Sequence, residues 1–189
     1  MDMTSQIANW TKIINEDAKS ISDRELSFVF FWGCGPKTKV QKGCFSQWWP
    51  CHFSIDSVEY NCAEQYMMAQ KAIVFKDTEV FQQIIDSKDP KTIKALGRKV
   101  KNFNPSVWDK VKYDIVVKGN LAKFSQNPEL KKFILSTGDA MIVEASPKDN
   151  IWGIGLAEDD PKALDPATWK GQNLLGKALM DVREMLKNG

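Results

Sequence analysis

One histidine in 189 residues, and no two cysteines separated by two residues, remove the ordinary donor sets for a structural zinc ion. The cysteines Cys34, Cys44, Cys51 and Cys62 lack paired spacing, and His52 stands alone beside Cys51. They read as reduced thiols in or near a core, with no metal and no cofactor expected. No apolar run approaches the roughly 18–20 residues of a membrane span, and the longest cluster, Phe28-Val29-Phe30-Phe31-Trp32, has the length of a buried strand. Residues 1–15 hold no basic stretch leading into an apolar one, so a cytoplasmic protein with no membrane contact is expected. A formal net charge of +2 is too small for bulk electrostatics to draw the chain onto DNA or a membrane. Internal repeats and low-complexity tracts are absent from the sequence. Gly153-Ile154-Gly155 is no dinucleotide fingerprint, since neither a third glycine nor a capped helix follows. Its expected use is close backbone approach, to a ligand or to another strand.

What is present is an ordinary globular composition, 43% hydrophobic and 26% charged, with seven tryptophans. The length suits one domain. Ile7, Trp10, Ile13 and Ile14 follow a helical spacing and predict a helix over 4–20. A strand is expected over Phe28–Trp32, and short β pieces between Phe45 and Glu59 around a turn at Asp56-Ser57. Asn61, with Glu64 three residues later, has the form of a capping box opening a helix through Ala63, Met67, Gln70 and Val74. Asp89-Pro90, Asn104-Pro105 and Asn127-Pro128 each place a polar cap before a proline at the first helical position. The second of these helices presents Trp108, Val111, Ile115 and Leu121 on one side, and the third ends near Gly138. Met141–Ala145 alternates as a strand, and a last helix runs from about Asn173. The sum is α+β: a helix-rich single domain with a small sheet.

Glu144 is the odd residue of its strand, a charge among apolar neighbours. The ordinary expectation is a side chain in solvent; burial without a partner would be costly and would need a reason. Glu64 and Lys71 stand seven residues apart, two turns along one helix and offset by about 20°. They can present a carboxylate and an amine to one pocket, or be a capping residue and a surface lysine. Trp48, Trp49, Trp108, Trp152 and Trp169 lie beside polar or glycine-rich segments, where rings suit stacking on a flat heterocycle as well as packing. Lys and Arg outnumber Asp and Glu between residues 76 and 123, and the balance reverses after residue 139. The surplus reads as solvated helix faces, or as a basic rim of Arg98, Lys118 and Lys123 beside an acidic pocket.

The ordered segments Phe45-Ser46-Gln47-Trp48, Asn61-Cys62-Ala63-Glu64-Gln65-Tyr66-Met67-Met68-Ala69-Gln70-Lys71, Gly97-Arg98, Glu144-Ala145-Ser146-Pro147-Lys148-Asp149-Asn150-Ile151-Trp152-Gly153 and Gly171-Gln172-Asn173 resemble the YbiA-like, or NADAR, family. The resemblance spans about Phe28 to Leu186. It implies an extension over 1–27, a catalytic domain over 28–189, and hydrolysis of the bond between ribose C1 and nitrogen. The implied substrates are ADP-ribose on guanine in nucleic acid, which would entail transient nucleic-acid contact, or the phosphoribosylaminopyrimidines of riboflavin synthesis. Carried over by motif, Glu64, Lys71, Glu144 and Asp149 are the catalytic candidates. Ser46, Gln47, Trp48, Arg98, Trp108, Lys123, Trp152, Gly153 and Asn173 are the substrate-binding candidates. In the expected chemistry Arg98 and Lys123 hold phosphate, and Glu144 or Asp149 stabilises charge at C1. Glu64 activates water or relays a proton, and Lys71 fixes a hydroxyl or forms a transient imine. Gln47 stands where the family commonly has asparagine, and Met67-Met68 after Tyr66 soften that wall. A non-catalytic module binding ADP-ribose would keep the aromatic and phosphate-binding residues without needing the carboxylates. A purely structural helical protein would leave Glu144, Asp149 and Lys71 on the surface.

Overall fold

The computed structural model describes residues 27–35 and 39–189. The helix expected over 4–20 and the proposed 1–27 extension lie outside the described residues, apart from Ser27. Among the described residues there are four short strands and six α-helices, an α+β architecture in which helices dominate. The sheet content is split in two. β1 (Phe28–Phe31) pairs in parallel with β4 (Met141–Glu144), and β2 (Phe53–Ile55) forms a hairpin with β3 (Val58–Tyr60). The hairpin closes at the expected turn, where Asp56 and Ser57 take φ of 52° and 64°, the left-handed pair that matches strand twist.

The parallel pair is covered on both faces, as parallel strands require. Val29, Phe31 and Ile142 face the main core; Phe28, Phe30, Met141 and Val143 face a smaller cluster built on Ile154, Leu156 and Ala163. Helix α1 (Ala63–Val74) lies at the centre of the larger core, packed by α2 (Thr78–Asp86), α3 (Pro90–Gly97) and α4 (Pro105–Ser125). Two glycines let partners approach it: a Cβ at Gly97 would strike Met68, and one at Gly119 would strike Tyr66. α5 (Pro128–Ser136) and α6 (Leu174–Asn188) complete the bundle.

All three Asx-Pro helix starts occur where the sequence places them. Asp89 and Asn104 accept backbone N–H groups of the first turn, whereas Asn127 turns its amide to the carbonyls of His52 and Lys123. α5 gives way to Gly138 at φ +57°, as a glycine C-cap requires. Helix α2 is not anticipated from the sequence, although its signal is there. Asp77 accepts the Val80 N–H at 3.2 Å and so caps it.

Candidate active site

The capping box expected at Asn61 and Glu64 does not form. The N-cap is Cys62, and Gln65 takes the reciprocal role, its Oε1 accepting the Asn61 N–H at 2.8 Å. Its amide also donates to the carbonyls of Ile84, Ile85 and Ser87, tying α1 to the end of α2. The Glu64 N–H donates to the Gln47 carbonyl at 2.9 Å. With capping done by Gln65, the Glu64 carboxylate is free for other use. It turns into a cleft.

That cleft has a volume of about 730 Å³ and two walls. α1 and α3 supply the first, with Glu64, Met67, Met68, Lys71, Lys94, Gly97 and Arg98. The second comes from the ends of β1 and β4 and the loop after β4, with Trp32, Glu144, Ser146, Lys148, Asp149 and Trp152. Ser46, Gln47 and Trp48 close one end. Of the four catalytic candidates, all line this single space.

Glu64 is 6% exposed, and the Trp48 indole donates a hydrogen bond to its carboxylate. Burial raises its pKa, against the lowering influence of Lys94, Arg98 and that hydrogen bond. Glu144 is not in solvent, contrary to the ordinary expectation for its strand. Burial, then the nearby charge of Asp149, push its pKa to about 7, with Glu64 adding in the same direction and Lys94 opposing. Its Oε2 is buried with no hydrogen-bond partner among the described residues. The charge of Asp149 thus works on both glutamates, raising the pKa of each. An unpaired buried acid of this kind is costly in a fold and useful in a site.

Asp149 builds the turn that presents Trp152. Its Oδ1 accepts the N–H of Ile151 at 2.9 Å and of Trp152 at 2.8 Å. Lys71 points its amine to the Gly97 carbonyl at 2.9 Å and lies 4.0 Å from the centroid of the Phe103 ring. Burial, then the Arg98 charge, lower its pKa. Ser46 accepts the Trp48 N–H at 3.2 Å, and Gln47 Oε1 accepts the Asn120 amide at 2.9 Å. Both therefore shape the end wall as well as lining it.

Four of the binding candidates lie outside the cleft lining. Lys123 is 0% exposed and donates to the carbonyls of Cys44 at 2.6 Å and Ser46 at 2.9 Å, which leaves it no route to a phosphate. Trp108 is buried in the main core. Gly153 serves close approach to a strand: an added Cβ would lie 2.8 Å from the Glu144 carbonyl oxygen. Asn173, in the left-handed region at φ 52°, imitates a peptide group along the free edge of β4. It accepts the Glu144 N–H at 3.0 Å and donates to the Ile142 carbonyl at 3.0 Å, so it positions Glu144 from behind. Lys118, of the proposed basic rim, pairs with Asp56 on an exposed face instead. The wall role assigned to Tyr66 passes to Met67 and Met68, because Tyr66 packs into the core against Tyr60 and Phe53.

Sequence reasoning missed Lys94, which lies over the Trp48 ring at 5.8 Å and tempers both cleft glutamates. The available signal was spacing, since Lys94 stands one helical turn before Arg98. Among the described residues no group of His, Cys, Asp and Glu is arranged to hold a metal ion.

The NADAR domain family model matches residues 30–187. The chain is 49% identical over 162 residues to N-glycosidase R617 of Acanthamoeba polyphaga mimivirus, covering 83% of this chain and 95% of that protein. It is 32% identical over 151 residues to N-glycosidase YbiA of Escherichia coli strain K12, covering 79% and 84%. The NMR structure of E. coli YbiA superposes with a TM-score of 0.70 at 26% identity, over 88% of this chain and 90% of that one. With this agreement of sequence and fold over nearly its whole described length, the chain belongs to the NADAR family and, with it, to the N-glycosidases.

Proposed function

We propose that the enzyme hydrolyses the bond between C1 of a phosphate-bearing ribose and a nitrogen of a flat base, and that ADP-ribose joined to guanine in nucleic acid is the substrate. The observation that carries this reading is Glu144: a half-buried carboxyl with one oxygen buried and unpartnered, its pKa raised to about 7, beside two further carboxylates in a cleft walled by tryptophan. Cleavage of an N-riboside builds positive charge on the ribose and negative charge on the departing base. An acid with a pKa near the working pH serves the departing base by giving it a proton. Glu144 has that property. Glu64, steadied by the Trp48 indole and two nearby cations, takes the opposite part: it stabilises the cationic ribose and orients the attacking water. Asp149 adds negative charge from a fixed turn.

The cations Lys94, Arg98 and Lys148 around the cleft suit a diphosphate. Lys71, with its amine on the Gly97 carbonyl and the Phe103 ring, is placed to fix a ribose hydroxyl rather than to attack C1. A module that only binds ADP-ribose has no use for an unpartnered buried acid, which favours the enzyme.

The test is to incubate the protein with DNA carrying ADP-ribosylated guanine and, separately, with phosphoribosylaminopyrimidines, and to measure free base and sugar. Release of ADP-ribose from the DNA substrate is the expected result. Turnover confined to the pyrimidines moves the assignment to riboflavin intermediates, and tight ADP-ribose binding with no turnover of either supports the module. kcat/KM should fall as pH rises through about 7, as Glu144 loses the proton it donates. A rise through that range would make Glu144 a charge stabiliser instead.

A further inference from the structure

Seven large apolar side chains among the described residues are markedly exposed: Trp32, Ile73, Phe103, Val107, Ile151, Leu164 and Met185. Scattered exposed apolar residues are normal and carry no message. Trp32 differs from the other six because it lines the cleft, and it is 58% exposed there. It belongs to neither core cluster, so its ring does no packing work that would explain its size.

Its place in the chain is fixed by the sheet. Phe31, the last residue of β1, is in register with Glu144, and its carbonyl accepts the Ala145 N–H at 2.9 Å. The backbone therefore leaves the sheet beside the acid assigned to the leaving group, and the next residue is Trp32. Gly33, at φ +67°, then turns the chain away, a conformation that an ordinary side chain resists. Lys71, Lys94 and Arg98 come from the opposite, helical wall, and Lys148 is the one cation on the side of Trp32. Most of the positive charge thus lies across the cleft, and the sheet edge offers a bare indole face from the residue that follows Phe31, the register partner of Glu144.

We propose that Trp32 is the platform on which the departing base stacks, and so a residue that determines which N-ribosides the enzyme accepts. This rests on the N-glycosidase reading of the same cleft. Stacking on an exposed ring favours any flat heterocycle over a leaving group without a π face. It contributes to binding in ground state and transition state alike, so it appears in KM rather than in kcat.

The experiment compares wild type with Trp32→Ala and Trp32→Phe on two substrates, a guanine-bearing N-riboside and a matched N-riboside whose leaving group is a non-aromatic amide. Guanosine binding is measured by calorimetry alongside. Trp32→Ala should raise KM for the guanine substrate about tenfold, leave kcat within about twofold, and weaken guanosine binding by a similar factor. Trp32→Phe should recover most of the loss, and the amide substrate should be indifferent to both changes. Unchanged KM for the guanine substrate, or an equal loss on both substrates, overturns the proposal. If wild type cleaves neither substrate, the guanine-substrate reading falls and guanosine binding alone decides: about tenfold weaker binding by Trp32→Ala supports the platform, and equal binding removes it.

Discussion

Lys123 and Glu144 are both ionisable groups withdrawn from water, and the fold treats them in opposite ways. Lys123 sits under the segment from Cys44 to Ser46, where two backbone carbonyls receive its N–H groups. Burial lowers its pKa, and the surrounding cysteines act weakly the other way. Glu144 stands at a strand end with one oxygen buried and unpartnered, facing other carboxylates. A satisfied buried polar group holds structure together; an unsatisfied one is tolerated where its reactivity is used. The comparison separates a residue that builds the cleft from one that works in it.

The sharpest way to break that distinction is to neutralise each group. Glu64→Gln and Glu144→Gln should each lower turnover by about 10²–10⁴-fold, since each removes a proton-transfer or charge-stabilising group. Neither should lower the melting temperature, because a neutral amide relieves the desolvation that the acid endures. Single-turnover base release and thermal melts check both halves. A variant that loses activity and stability together would place the glutamate with Lys123, as a structural group.

The pH dependence of stability sharpens the same point. Glu144 has a folded pKa of about 7 against an ordinary value of 4.5. Between these values the folded state holds a proton that the unfolded chain has released, so raising the pH favours unfolding. Its stabilising contribution is complete below pH 4.5 and is lost as pH rises through about 7, to a total of up to about 3 kcal/mol. Burial raises the pKa of Glu64 as well, which adds in the same direction. Urea denaturation of wild type and Glu144→Gln from pH 4 to 8 should show curves that converge at the acid end and separate toward neutrality. Parallel curves would mean that Glu144 titrates in the folded state as it does in water.

Lys123→Met should act on the fold instead. It strands the Cys44 carbonyl and leaves the Ser46 carbonyl with only the Trp49 N–H, for a loss of about 2 kcal/mol in denaturant midpoint analysis. Activity per folded molecule should fall far less than for the glutamates. An unchanged midpoint would show that those carbonyls find other donors.

These contrasts explain how much of the molecule was legible in its sequence. Helix starts were readable because an Asx-Pro pair acts locally: the cap and the fixed φ operate within four residues. The strands β1 and β4 were readable from their apolar runs. The fate of Glu144 was not, because it depends on which elements cover the second face of β4, and this is set by a loop and a helix far along the chain. The hydrogen bonds of Asn173 to β4 are hidden from the sequence for the same reason. Its side chain completes a strand edge 29 residues away, while its sequence neighbours resemble a ligand-binding turn. Lys123 shows the opposite failure, for a lysine on a helix reads as surface until the segment lying over it is known. Glu64 is the mixed case: its helix was legible, its capping role was the wrong inference, and freedom from capping is what admits it to the cleft.

Lys118 provides the smallest expected effect and the control for all the others. It pairs with Asp56 at 3.0 Å, with both side chains largely in water. Exposed pairs of this kind contribute about 0–1 kcal/mol and weaken as salt rises. Lys118→Ala should therefore shift the denaturation midpoint marginally, with the difference vanishing in 1 M salt, a concentration at which the screening length is about 3 Å. KM for a phosphate-bearing substrate should stay at the wild-type value, because this amine is committed to the β2–β3 turn and is absent from the cleft lining. The same measurement on Arg98→Ala should raise KM, since that guanidinium does line the cleft. Charge surplus along the chain would then count for nothing by itself, and only the cations that line the cleft would count. Equal KM increases for Lys118→Ala and Arg98→Ala would restore the broad basic rim and remove the distinction between cations in the cleft and cations outside it.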